Sequence, residues 1–582
     1  MRIEGTATGR PWLLREVDER VALAICQRHG LPDIVGRVLA GRGLEPAAVE
    51  AFLEPRLKGW LPDPSHLLDL DEVAHRLALA VIDREPIGII GDYDVDGATS
   101  TALAVRYFRA LGVEPEVEIP DRLKDGYGAN KGAFDRLAEA GCRLVLTLDN
   151  GTTAFEPIAH AAAQGQEVVV IDHHAAEERL PEAFGVVNPN RLDQTSPLGG
   201  LAAVGVTFVV LIAVSRELRR LAPGTAVPDL LTMLDLVALG TVCDVVPLVG
   251  LNRAFVHQGL KVAGRGTNPG LAALAEAAGV RGAISEAWQF GFALGPRINA
   301  AGRLGHSPLG WRLLATADQD EAVRIAAHLD HLNQERQAME RRLLEAADEE
   351  ARRQLDAGRP VLVAAGDGWH PGVIGIVASR LMERYHRPVF VIGMENGTGK
   401  GSARSVPGFD VGAAVIAARQ EGLLVHAGGH AMAAGLTVEQ ARLEAFADFL
   451  AERATGIDGR SAIPERPLHL DGTLSVAGLG TALATDLARI APFGAGNEEP
   501  RFCIEDARIV QWRDLSGGHV SCTLAGLATG RARAIAFRCA DGPLGALLRQ
   551  GGTPVRLAGR IKLDRYNGET RTSFQIEDAA PA

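Results

Sequence analysis

Carboxylates and imidazoles recur in four short polar clusters, and side chains of these types can hold divalent metal ions. Each cluster follows directly on an apolar run that is predicted to be a strand. The clusters are GDYDVDG with Asp92, Asp94 and Asp96, LDNG with Asp149, IDHH with Asp172, His173 and His174, and TVCDVVP with Asp244. One such cluster alone is typical of a turn or a helix cap, but four in succession predict a shared site.

The chemistry that these side chains predict is phosphate-ester hydrolysis with two metal ions. Carboxylates gathered in one place repel one another unless cations lie between them. Ligation by several carboxylates and one or two imidazoles suits Mn²⁺ or Mg²⁺ better than Zn²⁺, which favours Cys and His. Two such ions can stabilise the attacking and leaving oxygens of an in-line displacement at phosphorus.

A parallel β-sheet is predicted to position the clusters. From Pro86 onward the apolar runs PIGIIG, CRLVLTL and QEVVVI alternate with helical stretches, a pattern typical of βαβ units. Ligands of open parallel sheets bind outside the carboxyl ends of the strands. We therefore expect all four clusters to converge on one crevice.

The whole chain is predicted to be an α/β multidomain protein. A polar stretch rich in Ala, Leu, Glu and Arg predicts a long helix that bridges two domains. Six short apolar runs separated by turn residues predict a small barrel near the end of the chain. The predicted regions are an N-terminal extension packed on the neighbouring domain (1–75), the parallel-sheet catalytic domain (76–309), the connecting helix (310–357), a second α/β domain (358–460) and the barrel (461–582).

Composition narrows the class of protein. The 582 residues contain 47% hydrophobic and 23% charged residues and six scattered cysteines without a CxxC pair. This excludes a disulfide scaffold or a zinc ribbon and fits a reducing compartment. No secretory signal is recognisable, and the longest apolar run, Leu201–Val214, is shorter than the roughly 20 residues of a membrane-spanning helix. We expect a buried helix there and a cytoplasmic protein without a membrane partner.

The distribution of charge bears on a nucleic-acid partner. A net charge of −12 disfavours polyanion binding when it is averaged over the chain. Residues 501–575, however, contain twelve Arg and Lys against six Asp and Glu. The predicted barrel is therefore the basic part of an otherwise acidic protein.

The clusters, with the segment DLVALGTVCDVVPL, resemble the successive motifs of the DHH phosphoesterase superfamily. IPDRLKDGYGAN (119–130), GPRINAAGRLGH (295–306), PFGAGNEEPRF (492–502) and the closing barrel are similar to the bacterial RecJ exonucleases. The resemblance covers nearly the whole chain and implies a DHH domain, a DHH-associated domain and an OB-like barrel. It implies 5′→3′ hydrolysis of single-stranded DNA to mononucleotides with Mn²⁺ or Mg²⁺, in recombination and DNA repair. It also implies a monomer that a helicase and a single-strand-binding protein supply with substrate.

The resemblance implies roles for the residues of the clusters. Other superfamily members carry a histidine four residues before Asp94, where this chain has Ile90, and Asp92 is expected to stand in for it. His174 would orient water or a phosphate oxygen, and Asp172 would support the histidines by hydrogen bonding. The expected ligands are Asp92 and Asp94 for one ion, Asp96, His173 and Asp244 for the other, and Asp149 as the bridge between them.

Substrate-handling residues are expected in two further segments of the first α/β region. Arg122 and Asn130, with Tyr127 between them, are predicted to bind a 5′-phosphate, since Arg suits bidentate capture of phosphate. Arg303 is predicted to stabilise charge in the transition state. Arg297, Asn299 and His306 lie in the same motif as Arg303 and are predicted to contact substrate. The plainer alternatives are a solvated turn at 119–130 and a helix start capped by Asn299.

Two C-terminal segments are expected to bind the nucleic acid. Glycine-rich stretches let backbone N–H groups contact phosphates, and those of the second domain carry Arg380, Ser402, Arg404, Gly428, Gly429 and His430. Aromatic side chains beside a positive groove are typical of single-strand binding by OB folds, although each ring could instead belong to the barrel core. The aromatic and basic residues of the barrel are Trp512, Phe537, Tyr566 and Phe574, and Arg513, Arg531, Arg533, Arg538, Arg560 and Arg565.

Three alternatives stay open at this point. A DHH enzyme that acts on small substrates, such as an oligoribonuclease, a cyclic-dinucleotide phosphodiesterase or a pyrophosphatase, needs neither the bridging helix nor the basic barrel. A non-catalytic scaffold would have lost its metal ligands. A nucleic-acid-binding protein with a purely structural metal site would bind DNA without hydrolysing it.

Overall fold

The computed structural model describes residues 2–121, 126, 128–454, 466–526, 530–566 and 569–582. Its first part is a small N-terminal segment of two short strands and four short helices, of which α1 begins at the capping side chain of Asp18. The elements are β1 (Arg2–Ile3), β2 (Trp12–Leu14), α1 (Glu19–His29), α2 (Asp33–Gly41), α3 (Val49–Leu53) and α4 (Leu57–Trp60).

The first α/β domain contains the predicted parallel sheet. Its first half consists of α5 (Leu70–Asp83), β3 (Ile87–Ile90), α6 (Val95–Ala110), β4 (Glu116–Glu118), α7 (Lys131–Glu139), β5 (Leu144–Leu148), α8 (Phe155–Ala163), β6 (Glu167–Ile171) and β7 (Gly185–Val187). The strands are all parallel in the order β4-β3-β5-β6-β7. Strands β3 and β5 are buried along their whole length, which explains their unbroken apolar sequences.

The second half of this domain is helical. It consists of α9 (Ala203–Leu221), α10 (Leu234–Cys243), α11 (Gly250–Ala263), α12 (Pro269–Ala277), a π-helical segment (Gln289–Leu294), α13 (Gly295–Arg303) and α14 (Leu309–Ala315). The expected strand before Asp244 is wrong, because that apolar run forms α10 and Asp244 is its C-cap. Helix α10 is buried on nearly all sides, so its sequence lacks the polar face that distinguishes a helix from a buried strand.

A 38-residue helix, α15 (Gln319–Asp356), leads to the second α/β domain. It begins later than residue 310, because α14 ends at Ala315 and the side chain of Asp318 caps the new helix. The second domain consists of β8 (Leu362–Asp367), α16 (Pro371–Tyr385), β9 (Val389–Glu395), β10 (Thr398–Arg404), α17 (Val411–Gln420), β11 (His426–His430), β12 (Ala433–Glu439) and α18 (Leu443–Ala454). Its sheet has the order β11-β12-β10-β9-β8, with α15 and α16 on one face and α17 and α18 on the other.

The predicted barrel is confirmed. Its elements are β13 (Leu468–Leu470), β14 (Gly472–Leu474), α19 (Thr481–Ala488), β15 (Phe502–Leu515), β16 (His519–Gly526), β17 (Arg531–Ala536), α20 (Pro543–Arg549), β18 (Pro554–Tyr566) and β19 (Glu569–Pro581). The sheet runs β15-β16-β17-β19-β18, and pairing of β18 with β15 closes it. Phe574 is buried in the barrel core, so its alternative role as a core residue is the one observed.

The N-terminal segment packs on the barrel as well as on the sheet domain that comes after it in sequence, which α4 contacts through α11. Strand β2 pairs in parallel with β13, and the indole N–H of Trp12 donates to Asp578 at 2.9 Å. Ile25 and Val35 of the first helices share a hydrophobic core with Phe502 of the barrel. The two ends of the chain therefore form one structural unit.

Helices of membrane-spanning length and apolarity do not occur in the described parts of the chain. The apolar run at Leu201–Val214 instead belongs to α9, whose side chains are buried against α5, α6 and α10.

Candidate metal centre

Three of the four polar clusters lie where parallel strands end. Asp92 follows β3, Asp149 follows β5, and Asp172 follows β6 in the middle of the sheet. Asp149 has φ 64°, a left-handed backbone conformation that is costly for a residue with a side chain and is frequent at functional sites. The carboxyl edge of the sheet therefore carries the site, as expected for this class of fold.

The fourth cluster reaches the same site from a helix. Asp244 ends α10, and its Oδ2 lies 3.7 Å from Nδ1 of His173. Three groups of possible ligand atoms result, and the atoms within each group lie within 4.8 Å of one another. The groups are Asp92, Asp94 and Asp149, then Asp149, His173 and His174, and finally Asp96, His173 and Asp244.

The ring of His173 has a defined orientation. Its Nδ1 lies 3.0 Å from the carbonyl oxygen of Leu201, a contact in which only a protonated nitrogen forms a hydrogen bond. Its Nε2 therefore points to Asp149 Oδ1 at 3.3 Å and Asp96 Oδ2 at 3.8 Å. An imidazole that donates through one nitrogen and ligates through the other is the usual arrangement at metal sites.

His174 and Asp172 form a separate hydrogen-bonded pair beside these ligands. Nδ1 of His174 donates to Asp172 Oδ1 at 2.7 Å, and Asp172 also accepts the backbone N–H groups of His173 and Thr152. Burial lowers the pKa of His174, but its hydrogen bond to Asp172 and the attraction of the nearby carboxylates together raise this pKa to about 9. Burial raises the pKa of Asp172, but the hydrogen bond from His174, the charge of that ring and the bonds from Thr152 together hold this pKa well below its usual value. Asp172 is thus placed to support the histidines.

The electrostatics of the carboxylates fit bound cations. Burial, followed by the nearby carboxylate of Asp244, raises the pKa of Asp96 to about 7. Burial and Asp94 raise the pKa of Asp244 to about 7, and burial with Asp96 raises that of Asp149 well above its usual value. Oδ2 of Asp244 is buried and accepts no hydrogen bond from any described residue. Oxygen-rich donors that repel one another in this way suit Mn²⁺ or Mg²⁺.

Asp96 has a structural role that its sequence position does not reveal. Its two carboxylate oxygens accept the backbone N–H groups of Ala203 and Val204 at 2.6 and 3.0 Å. These groups begin α9, and a carboxylate at a helix N-terminus is stabilised by the helix dipole. Asp96 therefore connects the metal centre to α9 as well as facing His173.

Gly97 allows the first cluster to fold back on itself. A Cβ at this position would lie 2.7 Å from the backbone N and Cα of Asp92 and 2.5 Å from its Cβ. Because the backbone of Asp92 would have to move, we expect Gly97→Ala to displace the ligands by up to about 1 Å and to reduce hydrolysis by about 100-fold.

The measurement for Gly97→Ala is hydrolysis together with Mn²⁺ binding by calorimetry. Gly132→Ala is the matched control, because it also lies in the first turn of a helix and its added Cβ would have 3.4 Å to the nearest atoms. Equal activity of the two variants would contradict the prediction.

Arg303 lies between the first cluster and the second domain. The preceding Gly302 packs so closely on Tyr93 that a Cβ there would lie 2.7 Å from the Tyr93 carbonyl oxygen. The guanidinium of Arg303 donates to the carbonyl of Gly372, in the first turn of α16, at 3.2 Å. The backbone next to Arg303 therefore adjoins the first cluster, and the role of Arg303 in the transition state stays a prediction.

The other residues of the same motif make structural contacts of their own. Arg297 forms an ion pair with Asp330 of α15 at 2.8 Å. The His306 ring packs on His328 with centroids 5.2 Å apart. Asn299 lies inside α13 and caps no helix, so the plainer alternative of a capping Asn is wrong.

The predicted residues of the second domain divide into two sites. Arg380 forms an ion pair with the buried Glu340 of α15. Arg404, Ala433 and His430 are directly paired across β10, β12 and β11, so their side chains share one face of the sheet. Ser402 and Gly428 lie on the same face two residues away, while Gly429 alternates with them on β11.

The predicted 5′-phosphate site can be described only at one end. Arg122 and Tyr127 lie outside the described residues. The Asn130 side chain accepts the Ala133 N–H at 3.0 Å and so caps α7. Its Nδ2 is buried without a hydrogen-bond partner among the described residues.

Two asparagines that the sequence reasoning missed support the histidines. Nδ2 of Asn188 donates to Thr152 Oγ1 at 2.8 Å and to the His174 carbonyl at 2.9 Å. Nδ2 of Asn190 donates to the His173 carbonyl. Both asparagines follow β7. The polar segment NPN directly after the apolar run GVV repeats the pattern of the other clusters, and this pattern could have predicted them.

Known families match the chain in three separate parts. The DHH family, N-terminal domain, matches residues 86–241, the DHHA1 domain matches residues 358–456, and the RecJ OB domain matches residues 470–578. These parts correspond in order to the parallel sheet with its helices, the second sheet and the barrel.

Full-length relatives agree with these matches. The single-stranded-DNA-specific exonuclease RecJ of Escherichia coli is 35% identical over 97% of this chain and 98% of its own length. The crystal structure of Thermus thermophilus RecJ in complex with Mn²⁺ superposes with a TM-score of 0.81 and 31% identity, over 98% of this chain and 79% of that chain. The Mg²⁺ complex of the same protein gives a TM-score of 0.76 and 30% identity over 98% and 78% of the two chains. The chain therefore belongs to the RecJ family.

Proposed function

We propose that this protein is a metal-dependent exonuclease that degrades single-stranded DNA from the 5′ end to mononucleotides, in recombination and DNA repair. The observation that carries the proposal is the convergence of acidic side chains and His173 at one edge of the sheet, with ligand atoms of each group within 4.8 Å. Its RecJ relatives are named for action on single-stranded DNA, and two related structures contain Mn²⁺ or Mg²⁺.

In the proposed assignment, Asp92 and Asp94 hold one cation. Asp96, His173 and Asp244 would hold the other. Asp149 would lie between them, because it shares one group of possible ligand atoms with Asp92 and Asp94 and another with His173. Such cations supply Lewis acidity at the reacting phosphate. His174, protonated by its bond to Asp172, would donate to a phosphate oxygen, and Arg303 would stabilise the charge that develops on the phosphate.

We infer that the substrate strand crosses the second sheet on the face that carries α16, along its exposed strands β12 and β11, before reaching this centre. Lys400, Ser402 and Arg404 alternate along that face of β10, and small residues on β12 leave the backbone accessible. His430 continues the row on the edge strand. Cationic and hydroxyl side chains beside glycines are suited to phosphates rather than to bases. Arg122 and Asn130 remain our candidates for holding the terminal phosphate.

The outer face of the barrel is proposed as the entry site for the strand. Strand pairing aligns Arg513 with Ser521 and Ile535, and Thr523 with Arg533. These side chains point to the outer face of the barrel, because they alternate along the strands with core residues. The exposed ring of Phe537 packs edge-on against His519 at 5.1 Å. A positive surface with an exposed ring is suited to single strands of any sequence.

Removal of this surface should weaken DNA binding without changing the chemistry. We expect Phe537→Ala to raise the Kd for single-stranded DNA at least about 5-fold. Arg533→Ala should weaken binding and reduce the slope of log K against log salt concentration by about 1, which corresponds to the loss of one phosphate contact. Fluorescence anisotropy at several salt concentrations measures both effects. The control is Arg489→Ala, because Arg489 is an exposed arginine that follows α19 and pairs with Asp486. Unchanged binding in both variants would exclude this face.

The decisive experiment is product analysis on single strands labelled at the 5′ or the 3′ end, with Mn²⁺ and with EDTA. The proposal requires that the 5′ label appear at once in mononucleotides, that the 3′-labelled strand shorten progressively, and that EDTA stop both. Early release of the 3′ label would contradict the polarity. Preference for short oligoribonucleotides would favour an enzyme for small substrates, and DNA binding without hydrolysis would favour a structural metal site.

We further propose a cytoplasmic monomer that receives its single strands from a helicase and a single-strand-binding protein. Six cysteines without a disulfide in the structure fit a reducing compartment. Light scattering of the purified protein tests the monomeric state. Hydrolysis of duplex DNA with and without an unwinding helicase tests the supply of single strands.

A further inference from the structure

An exposed aromatic pair lies on the π-helical segment Gln289–Leu294 and its preceding residue. Phe292 is 80% exposed, more than any other large apolar side chain of the described residues, and Trp288 is 52% exposed. Phe290 and Leu294 of the same segment are completely buried. The segment is therefore firmly anchored by one face and presents two rings to solvent with the other.

This segment packs directly on the end of helix α10, which carries Asp244. A Cβ at Gly295 would lie 2.5 Å from Cys243 Sγ, and one at Gly291 would lie 3.5 Å from Val242. The thiol of Cys243 donates to the carbonyl of Phe290 at 3.5 Å. Phe292 is thus only three residues from Gly295, which packs on Cys243, and Cys243 precedes the proposed ligand Asp244.

The distance fits the next part of a bound strand. Chain geometry places the Cα of Phe292 about 10–15 Å from that of Asp244. The same continuous element runs on through α13 to Arg303 beside the first cluster. The segment that carries Phe292 therefore lies near enough to the metal centre for the ring to reach nucleotides next to the scissile one.

The chemistry of the pair selects bases as the occupant. The indole N–H of Trp288 already donates to Glu286 at 2.9 Å, which orients its ring and leaves its face apolar. Every base has a π-face, so stacking on such rings holds single strands without reading sequence. π-Helical turns are rare and occur often at functional sites, and this one displays Phe292 outward.

We infer that Phe292, with Trp288 behind it, stacks on a base of the single-stranded substrate close to the metal centre. The inference rests on the proposed exonuclease function. It adds a substrate-binding residue whose action is on the bases, whereas the residues of the second sheet act on phosphates.

The test is a substitution series at Phe292. Stacking is worth about 1–3 kcal/mol per base, so Phe292→Ala should raise the KM for single-stranded DNA at least about 5-fold with little change in kcat. Phe292→Tyr keeps the ring and should behave as wild type, whereas Phe292→Leu keeps apolar volume only and should behave as Phe292→Ala. Phe184→Ala is the matched control, because Phe184 is an exposed phenylalanine just before β7. It therefore lies at the amino ends of the parallel strands, away from the metal centre at their carboxyl ends.

A spectroscopic measurement tests stacking itself. A phosphorothioate-linked strand carrying 2-aminopurine at successive positions is bound to the Mn²⁺-loaded enzyme. Fluorescence should be quenched at one or two positions in the wild type and in Phe292→Tyr, and not in Phe292→Ala. An abasic nucleotide at that position should weaken binding to the wild type but not further weaken binding to Phe292→Ala.

Several outcomes would overturn the inference. Unchanged KM and unchanged quenching in Phe292→Ala would show that no base stacks on this ring. Wild-type behaviour of Phe292→Leu would exclude stacking. Failure of the proposed function is distinguishable, because it would appear as absent Mn²⁺ binding or absent hydrolysis in the unaltered protein.

Discussion

Replacement of Asp149 by asparagine is expected to reduce hydrolysis of single-stranded DNA by on the order of 10³-fold or more. Asp149 is 2% exposed, and its Oδ1 lies 3.3 Å from His173 Nε2 and 3.9 Å from His174 Nδ1. It also belongs to the ligand group of Asp92 and Asp94. Loss of its charge therefore weakens both proposed cation positions at once, while the amide keeps the shape of the side chain.

The measurement combines steady-state hydrolysis with Mn²⁺ calorimetry. Asp235→Asn is the matched control, because Asp235 is also buried but lies at the start of α10, nine residues from Asp244. The control should keep wild-type activity and two bound ions, while Asp149→Asn should bind at most one. Turnover of Asp149→Asn near that of the wild type would refute the bridging role.

Metal removal is expected to make the stability of the protein fall as pH rises toward neutrality. Asp96 and Asp244 have pKa values near 7 in the fold and 3.8 when unperturbed. Between these values the folded state binds more protons than the unfolded state, so stability is lost as pH rises from about 4 to 7. His174, with its pKa raised to about 9, contributes stability below pH 6.5 that is lost as pH rises through 9.

Bound Mn²⁺ replaces the protons between these carboxylates and should remove much of this loss. We expect Mn²⁺ to raise Tm little at pH 5 and by more than about 5 °C at pH 8. Thermal unfolding at each pH gives the Tm with Mn²⁺ and the Tm with EDTA. The difference between these two values cancels the contribution of titratable groups that lie away from the site. Asp149→Asn should show a smaller difference. A difference that shrinks as pH rises would contradict the assigned carboxylates.

Much of the first α/β domain could be predicted because its signals are local. Strands β3, β5 and β6 are short buried runs, and each ends at a polar cluster. Parallel pairing makes their carboxyl ends neighbours whatever the helices between them do. The approach of Asp92, Asp149 and His173 therefore followed from the order of segments.

The path to Asp244 could not be predicted in the same way. Helix α10 is apolar on every side, because α6, α9 and α11 surround it, and an apolar run without a period fits a strand equally well. The capping of α9 by Asp96 and the packing of the N-terminal segment on the barrel also depend on partners about 100 and more than 400 residues away.

The amino-acid sequence by itself determined the residue types that can bind cations and phosphate, the strands that end at them and the closing barrel, since these depend on composition and short-range periodicity. Only the tertiary structure decided the direction of each imidazole, the raised pKa values of Asp96 and Asp244, and the exposure of Phe292. Those properties arise from burial and from atoms that are distant in sequence, because desolvation and Coulomb interactions depend on position in space and not on position along the chain.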